Sequence, residues 1–270
     1  MPTDLNALVA ELRSLRKYRD LDLPEETVRD LLMQELPHYR SERDALKAVR
    51  QKLHNIVAPY LGDPDYTAAE AQLVTAQTAG PEALRIACAE IMGAHASTRE
   101  RVPLLGEFYP RLFGLAGTPR VILDLACGLH PLGLPWMELP EGAEYHAYDL
   151  HRPRVGLINR FLELQGLPQL AEHRDILVDP PQIEADVAFF FKEAHRFEQR
   201  QRGCNRAFWQ ALRARWLVVS LPAADLTGHH SLVDKHRQLV YETIEGLPWE
   251  VTESQVGNEL LFCVQSGGQV

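Results

Sequence analysis

The sequence predicts an α/β fold: a mostly parallel seven-stranded sheet ending in an antiparallel hairpin, preceded by a small all-helical domain. Three observations predict it. From Arg120 onward, apolar runs rich in β-branched residues alternate with helical stretches, the pattern of parallel βαβ units. The last two runs, Trp249–Gln255 and Glu259–Gln265, are joined only by Val256-Gly257-Asn258, a link that permits nothing but an antiparallel pair. Before Gly93 the apolar spacing is helical throughout. The expected division is a helical domain over 1–92 and an α/β domain over 93–270.

In the first part, Leu5, Leu8, Leu12 and Leu15 recur at helical spacing. Pro24 sits at a first helical position, with Val28, Leu31 and Leu32 behind it. Ser41 with Asp44 opens the next helix, whose apolar stripe is Leu46, Val49, Leu53 and Ile56. Thr67 with Glu70 reads as a capping box, and that helix ends at Gly80-Pro81. A further helix runs to Met92. In His95–Arg101, Ser97 with Glu100 reads as another box. Strands are expected at Val121–Leu125, Glu144–Asp149, Ala171–Ile176, Val187–Phe191 and Trp216–Leu221, besides the final pair. Helices are expected over Pro153–Gln165, Glu193–Arg213 and Ser231–Glu245.

The first strand ends in Asp124, and Ala126-Cys127-Gly128 follow. A buried strand turning through a glycine is how open α/β sheets hold nucleotide-type cofactors, because the backbone comes close to the ligand there. Asp149 follows Gly128 by 21 positions and ends the next strand, where a carboxylate takes ribose hydroxyls. Asp175 ends the third strand, placed to accept from an exocyclic amine such as that of adenine. A dinucleotide dehydrogenase more often carries the full G-x-G-x-x-G, and Gly128 is the only glycine of this turn. The Rossmann-like sheet with its terminal hairpin is the arrangement of class I S-adenosylmethionine (SAM)-dependent methyltransferases.

With 270 residues, 46% hydrophobic and 24% charged, the composition is that of an ordinary globular protein of one or two domains. No run reaches the ~18 apolar residues of a membrane span, and the first residues do not read as a signal peptide. Cys88, Cys127, Cys204 and Cys263 form no C-x-x-C pair, which fits a reducing cytoplasm. A net charge of −9 gives no bulk attraction for nucleic acid, so any such role rests on a local patch. Arg40, Arg43, Lys47, Arg50 and His54 supply one. They share a helix face beside the apolar stripe, suited to a phosphate backbone or simply to solvent. Over 1–92, however, 11 Lys/Arg stand against 15 Asp/Glu. His229, His230 and His236 lack acidic or thiol partners at ligand spacing, so no metal site is expected. Lys192 and Ser220-Leu221-Pro222 end strands at the sheet's carboxyl edge, as substrate contacts or as loop anchors.

With these residues in hand, the chain resembles the aminoglycoside-resistance 16S rRNA (guanine-N(7))-methyltransferases of the Arm/Rmt/Sgm type. The shared segments are R-K-Y-R and P-E-E-T-V-R within Arg16–Arg29, K-L-H at Lys52–His54 and H-A-S-T-R-E-R at His95–Arg101. R-V-I-L-D-L-A-C-G-L-H-P-L at Arg120–Leu132, F-F-K at Phe190–Lys192, V-S-L-P at Val219–Pro222 and G-N-E-L-L at Gly257–Leu261 follow in order. The resemblance implies a helical domain that docks on the 30S subunit and a SAM-binding domain, in a cytoplasmic protein expected to be a monomer. It implies that His95 and Arg99 bind the cofactor, Arg99 holding the methionyl carboxylate, and that Gly128 lines the methionine and ribose pocket. Asp149 would take the ribose and Asp175 the adenine. Lys192 is the candidate for positioning a guanine of the decoding-site helix, and Arg40–His54 the face for rRNA. His130 departs from the asparagine usual in the family, and so does the 223–236 loop, here A-A-D-L-T-G-H-H-S-L-V-D-K-H. A related methyltransferase with another target, or a non-catalytic ribosome-binding protein, stays open at this point.

Overall fold

The structure, a computed structural model, describes residues 4–19, 22–57, 63–225 and 230–266. The first helices are α1 (Leu5–Ser14), α2 (Arg16–Arg19), α3 (Glu25–Glu35) and α4 (Glu42–Val57). Leu12, Leu31, Leu32, Val49 and Leu53 are fully buried in their shared core. Four further helices follow: α5 (Tyr66–Ala79), α6 (Pro81–Ala94), α7 (Ala96–Arg99) and α8 (Leu105–Ala116). The α/β part then runs β1 (Val121–Leu125), β2 (Glu144–Asp149), α9 (Arg152–Leu164), β3 (Ala171–His173) and β4 (Ala185–Phe191). It continues through α10 (Ala194–Arg200), α11 (Cys204–Ala211), β5 (Ala214–Pro222), α12 (Val233–Ile244), β6 (Glu250–Val256) and β7 (Glu259–Gln265).

The strands form one sheet in the order β3-β2-β1-β4-β5-β7-β6. β7 lies antiparallel between β5 and β6, and the other neighbours are parallel. This is the expected mixed seven-stranded sheet. The strand order reverses between β1 and β4, and in open α/β sheets the crevice for a ligand opens there.

Three expectations shift. The boundary at 92/93 does not coincide with the division between cores. Leu73, Leu84, Cys88 and Met92 of α5 and α6 are buried in the same core as Ile122 of β1 and Phe161 of α9. A separate core lies within residues 5–56, and among the described residues Leu150, after β2, is the one from the α/β part that packs against it. The expected helix over Glu193–Arg213 is two helices, broken where Gly203 adopts a left-handed φ of +77° and its N–H donates to Glu198 Oε2 at 2.7 Å. The third strand stops at His173 rather than Ile176, because the chain turns on Asp175, whose side chain accepts from Leu177 N–H at 3.1 Å.

The caps differ too. Asp65, not Thr67, caps α5 by accepting from Ala68 N–H at 3.0 Å. Ser97 lies inside α7 and bonds His95 Nδ1 at 2.7 Å.

Candidate active site

A cleft of about 730 Å³ opens at the reversal point, within the range of small-molecule sites. Its walls come from the turn after β1, the ends of β2 and β4, helix α10, Pro222, Ala224, Asp225 and Leu232, and the last turn and a half of α4. The helical domain therefore forms part of the cleft, through Lys52, Asn55 and Ile56.

Gly128 sits in the floor at φ +56°, a conformation that L side chains rarely adopt. Ala126 shares it at φ +52°. The turn is pinned to β2: Cys127 N–H donates to Tyr148 O at 2.9 Å, and Gly128 N–H to Asp149 Oδ2 at 3.0 Å. Asp149 is buried at the cleft wall. It accepts also from His151 N–H at 2.8 Å and from Arg154 Nη1 at 2.9 Å. A carboxylate offers about four lone-pair sites, so acceptor capacity remains for a hydroxyl.

Arg154 continues to Asp63 Oδ2 at 2.7 Å. Burial would raise the Asp63 carboxyl, but the bond from His151 and the Arg154 charge hold it down at about 2. Tyr66 donates to the same carboxylate. His95 Nε2 lies 3.5 Å from Asp63 Oδ1, and burial depresses His95 to about 4, so it is neutral at pH 7. Sequence reasoning missed Asp63 and Arg154. The R-P-R after Asp149 was a signal for Arg154. Asp63 carries none, since it joins this network from beyond α4.

Asp175 is buried and also lines the cleft. It accepts from Arg200 Nη1 at 3.0 Å and from Thr27 Oγ1 of α3 at 2.8 Å. Arg200 also reaches Asp30 Oδ2 of α3 at 3.1 Å. The carboxylate expected at an adenine thus also joins the two domains.

Lys192 directly follows β4 at φ +59°, a strained left-handed position for a residue with a Cβ. Its N–H donates to Ser220 O at 2.8 Å, and its buried Nζ lies 2.8 Å from Glu100 Oε2. Beside it, Arg101 is enclosed between the rings of Phe108 and Phe191 and paired with buried Glu259.

Arg99 is not among the residues the structure brings to the cleft. It is exposed, and its guanidinium donates to Gly93 O at 2.6 Å and Ala94 O at 3.1 Å, at the end of α6. Arg40, Arg43, Lys47 and Arg50 are exposed and His54 half-buried. Arg50 lies 3.3 Å from Glu11.

His130 lies beneath the turn, 2% exposed. Burial lowers its pKa. Neutral, its Nδ1–H donates to Asp124 at 2.8 Å and its Nε2 accepts from Tyr109 O–H at 3.0 Å, the tautomer that satisfies every partner. His236 Nδ1 bonds Pro222 O at 2.8 Å and His230 is exposed, while His229 and the rest of 226–229 lie outside the described residues. Among the described residues no group of three or more His, Cys, Asp or Glu side chains could hold a metal ion. Nor, among them, is any helix long and apolar enough to cross a membrane.

A sheet of this order with a nucleoside-sized cleft over its glycine turn defines a class I methyltransferase. The Ribosomal RNA methyltransferase (FmrO) family matches residues 13–264, and the chain belongs to that family. It is 33% identical over 250 residues to a 16S rRNA (guanine(1405)-N(7))-methyltransferase of Frankia casuarinae, covering 89% of this chain and 87% of that one. The solved structure of the 16S rRNA methylase RmtB superposes with a TM-score of 0.79 at 27% identity, over 99% of this chain and 100% of that one. The 16S rRNA methyltransferase RmtF, solved in complex with S-adenosyl-L-homocysteine, gives 0.77 at 32% identity, over 98% and 99%.

Proposed function

We propose that this chain methylates ring nitrogen 7 of a guanine in the decoding-site helix of 16S rRNA, within the 30S subunit, using SAM. The modification would give aminoglycoside resistance. The observation that carries the reading is the family match across 13–264, which takes in α3 and α4 as well as the cleft. The curated 16S rRNA (guanine(1405)-N(7))-methyltransferases support the base and the atom.

The residues present fit the cofactor. Gly128 allows close approach, Asp149 keeps acceptor capacity for a ribose, Asp175 lines the same cleft, and the volume suits a nucleoside with an amino-acid tail. When bound, SAM supplies a methyl group on a sulfonium. Methyl transfer to the guanine N7 lone pair would leave the C–S electron pair on sulfur and the positive charge on the base. N7 carries no proton, so no residue has to remove one. The cleft's task is orientation and exclusion of water. Lys192, held by Glu100 and by β5, is the positioning candidate on the target side. The helical domain, with its Arg40–Arg50 face, is the candidate rRNA contact.

The test incubates 30S subunits with the protein and SAM. One new 7-methylguanine, mapped by cleavage at that base, is expected, together with gentamicin resistance in a sensitive bacterium expressing the gene. A drug that binds elsewhere on the ribosome should keep its effect. Methylation of naked rRNA only, or of another base, would reject the ribosomal target.

A further inference from the structure

We propose that Glu100 reads the target guanine, its carboxylate accepting from N1–H and the 2-amino group while Lys192 donates to O6. The assignment rests on the guanine-N7 reading and extends it to the residue that selects the base.

Gly128 and Asp149 line the part of the cleft over β1 and β2, which the SAM reading gives to the cofactor. From there the cleft continues past β4 to Pro222 and Ala224 at the end of β5, and a base that accepts the methyl group enters this second part. Distances place Glu100 there. Its Oε2 is 2.8 Å from Lys192 Nζ, and Lys192 directly follows β4 and donates its N–H to Ser220 O of β5 at 2.8 Å. The same Nζ is 3.9 Å from Oε2 of Glu259, the first residue of β7. An ammonium and a carboxylate thus stand side by side at the ends of β4, β5 and β7, and both residues line the cleft. The pair has capacity left. Lys192 carries three donors and spends one on Glu100. Among the described residues Glu100 has one ionic partner, Lys192, no bond engages its Oε1, and its side chain is 38% exposed. Glu259, the other carboxylate near Lys192, is 6% exposed and already paired with Arg101.

Guanine matches such a pair. A base taken out of its helix is read on its Watson–Crick edge. Along that edge guanine presents an acceptor, O6, and then two donors, N1–H and the 2-amino group. A donor beside a carboxylate with a spare oxygen fits this order. Adenine reverses it, setting its 6-amino group against the ammonium and its N1 lone pair against the carboxylate. N7 lies on the far side of O6 and stays open to the methyl group. The carboxylate also favours the transfer itself. As positive charge passes to the base, N1–H becomes a stronger donor, so its bond to Glu100 tightens in the transition state relative to the ground state. N1 keeps its proton throughout.

Inosine lacks the 2-amino group of guanosine and keeps N7, O6 and N1–H. Methyl transfer from radiolabelled SAM to 30S subunits assembled with inosine at the target position, against ordinary subunits, tests the assignment. Wild type should favour guanine by roughly tenfold or more in kcat/KM. Glu100→Ala should lose roughly tenfold to a hundredfold on guanine and treat the two bases within about threefold. Its SAM affinity by calorimetry should stay within about twofold of wild type. Glu100→Gln, with one acceptor oxygen in place of two, should fall between. A wild type that methylates both bases equally well overturns the assignment without any variant. So does a Glu100→Ala protein that keeps the full preference for guanine, which would reduce Glu100 to a tether for Lys192, or one that loses SAM binding. Failure of wild type to methylate guanine N7 in ordinary 30S subunits would instead reject the underlying reading, and this assignment with it.

Discussion

His130, which departs from the asparagine usual in the family, serves as a foundation of the glycine turn. Its two ring nitrogens join Asp124 at the end of β1 to Tyr109 of α8, and Tyr145 O–H also donates to Asp124 at 2.6 Å. Removing the ring leaves a buried carboxylate and a phenol short of a partner, besides a cavity. His130→Ala should therefore cost about 2–4 kcal/mol in urea denaturation. Loss below about 1 kcal/mol would show that the network is dispensable. The buried histidines also set a pH response. His95 titrates at about 4 in the fold against a usual 6.5, so between those values the unfolded chain binds more protons and stability falls as pH drops. From pH 7 to 5 the loss is about 2 kcal/mol for His95 alone. His195, lowered to about 4 by burial, acts in the same direction. Glu193, raised to about 7, acts oppositely over its own window from 4.5 to 7, where the folded state holds the extra proton. The histidines outnumber it, so cofactor-free protein should be less stable at pH 5 than at pH 7 in denaturant titrations. His95→Gln should flatten that slope.

At the scale of elements, the helix–strand order and the glycine turn were legible because they are local. Val121–Leu125 and Glu144–Asp149 are found with the expected bounds, and Asp149 stands beside Gly128 because β1 and β2 pair in register. What misled was also local. Thr67 with Glu70 fits a capping pattern, but Asp65 two residues earlier takes the cap. The H-A-S-T-R-E-R segment offers two arginines, and nothing in its spacing says that Arg101 turns inward to Glu259 while Arg99 folds back on α6. One element makes a sharp demand on its sequence. The 3-10 turn His130–Trp136 crosses α8 so closely that a Cβ on Gly133 would stand 2.0 Å from Tyr109 Oη. Gly133→Ala must push Tyr109 away from His130. It should destabilise the protein by about 2–4 kcal/mol, seen as a lower thermal midpoint. A midpoint within a degree or two of wild type would mean that the turn relaxes freely.

Across the whole molecule, the features that sequence reading missed are those that join distant segments. Thr27 and Asp175 are 148 residues apart, and Asp63 reaches Arg154 across 91. No periodicity announces such pairs, because they follow from the docking of two separately built cores. The same docking gives the surface its division of labour. α4 contributes Lys52, Asn55 and Ile56 to the cleft, while Arg43, Lys47 and Arg50 on the same helix face solvent. One helix thus presents a basic face outward and a cleft wall inward, and the two functions should separate by mutation. Reversing Arg43 and Arg50 to Glu leaves the Thr27–Asp175 and Asp30–Arg200 bonds intact, so SAM affinity should stay within about twofold of wild type. If both arginines neutralise phosphates, 30S binding should weaken, and the log–log salt slope of that binding should become shallower by about 2. Filter binding over a salt series measures both. An unchanged slope with unchanged affinity would place the rRNA contact on another face, in a chain whose net charge of −9 leaves few surfaces able to offer one.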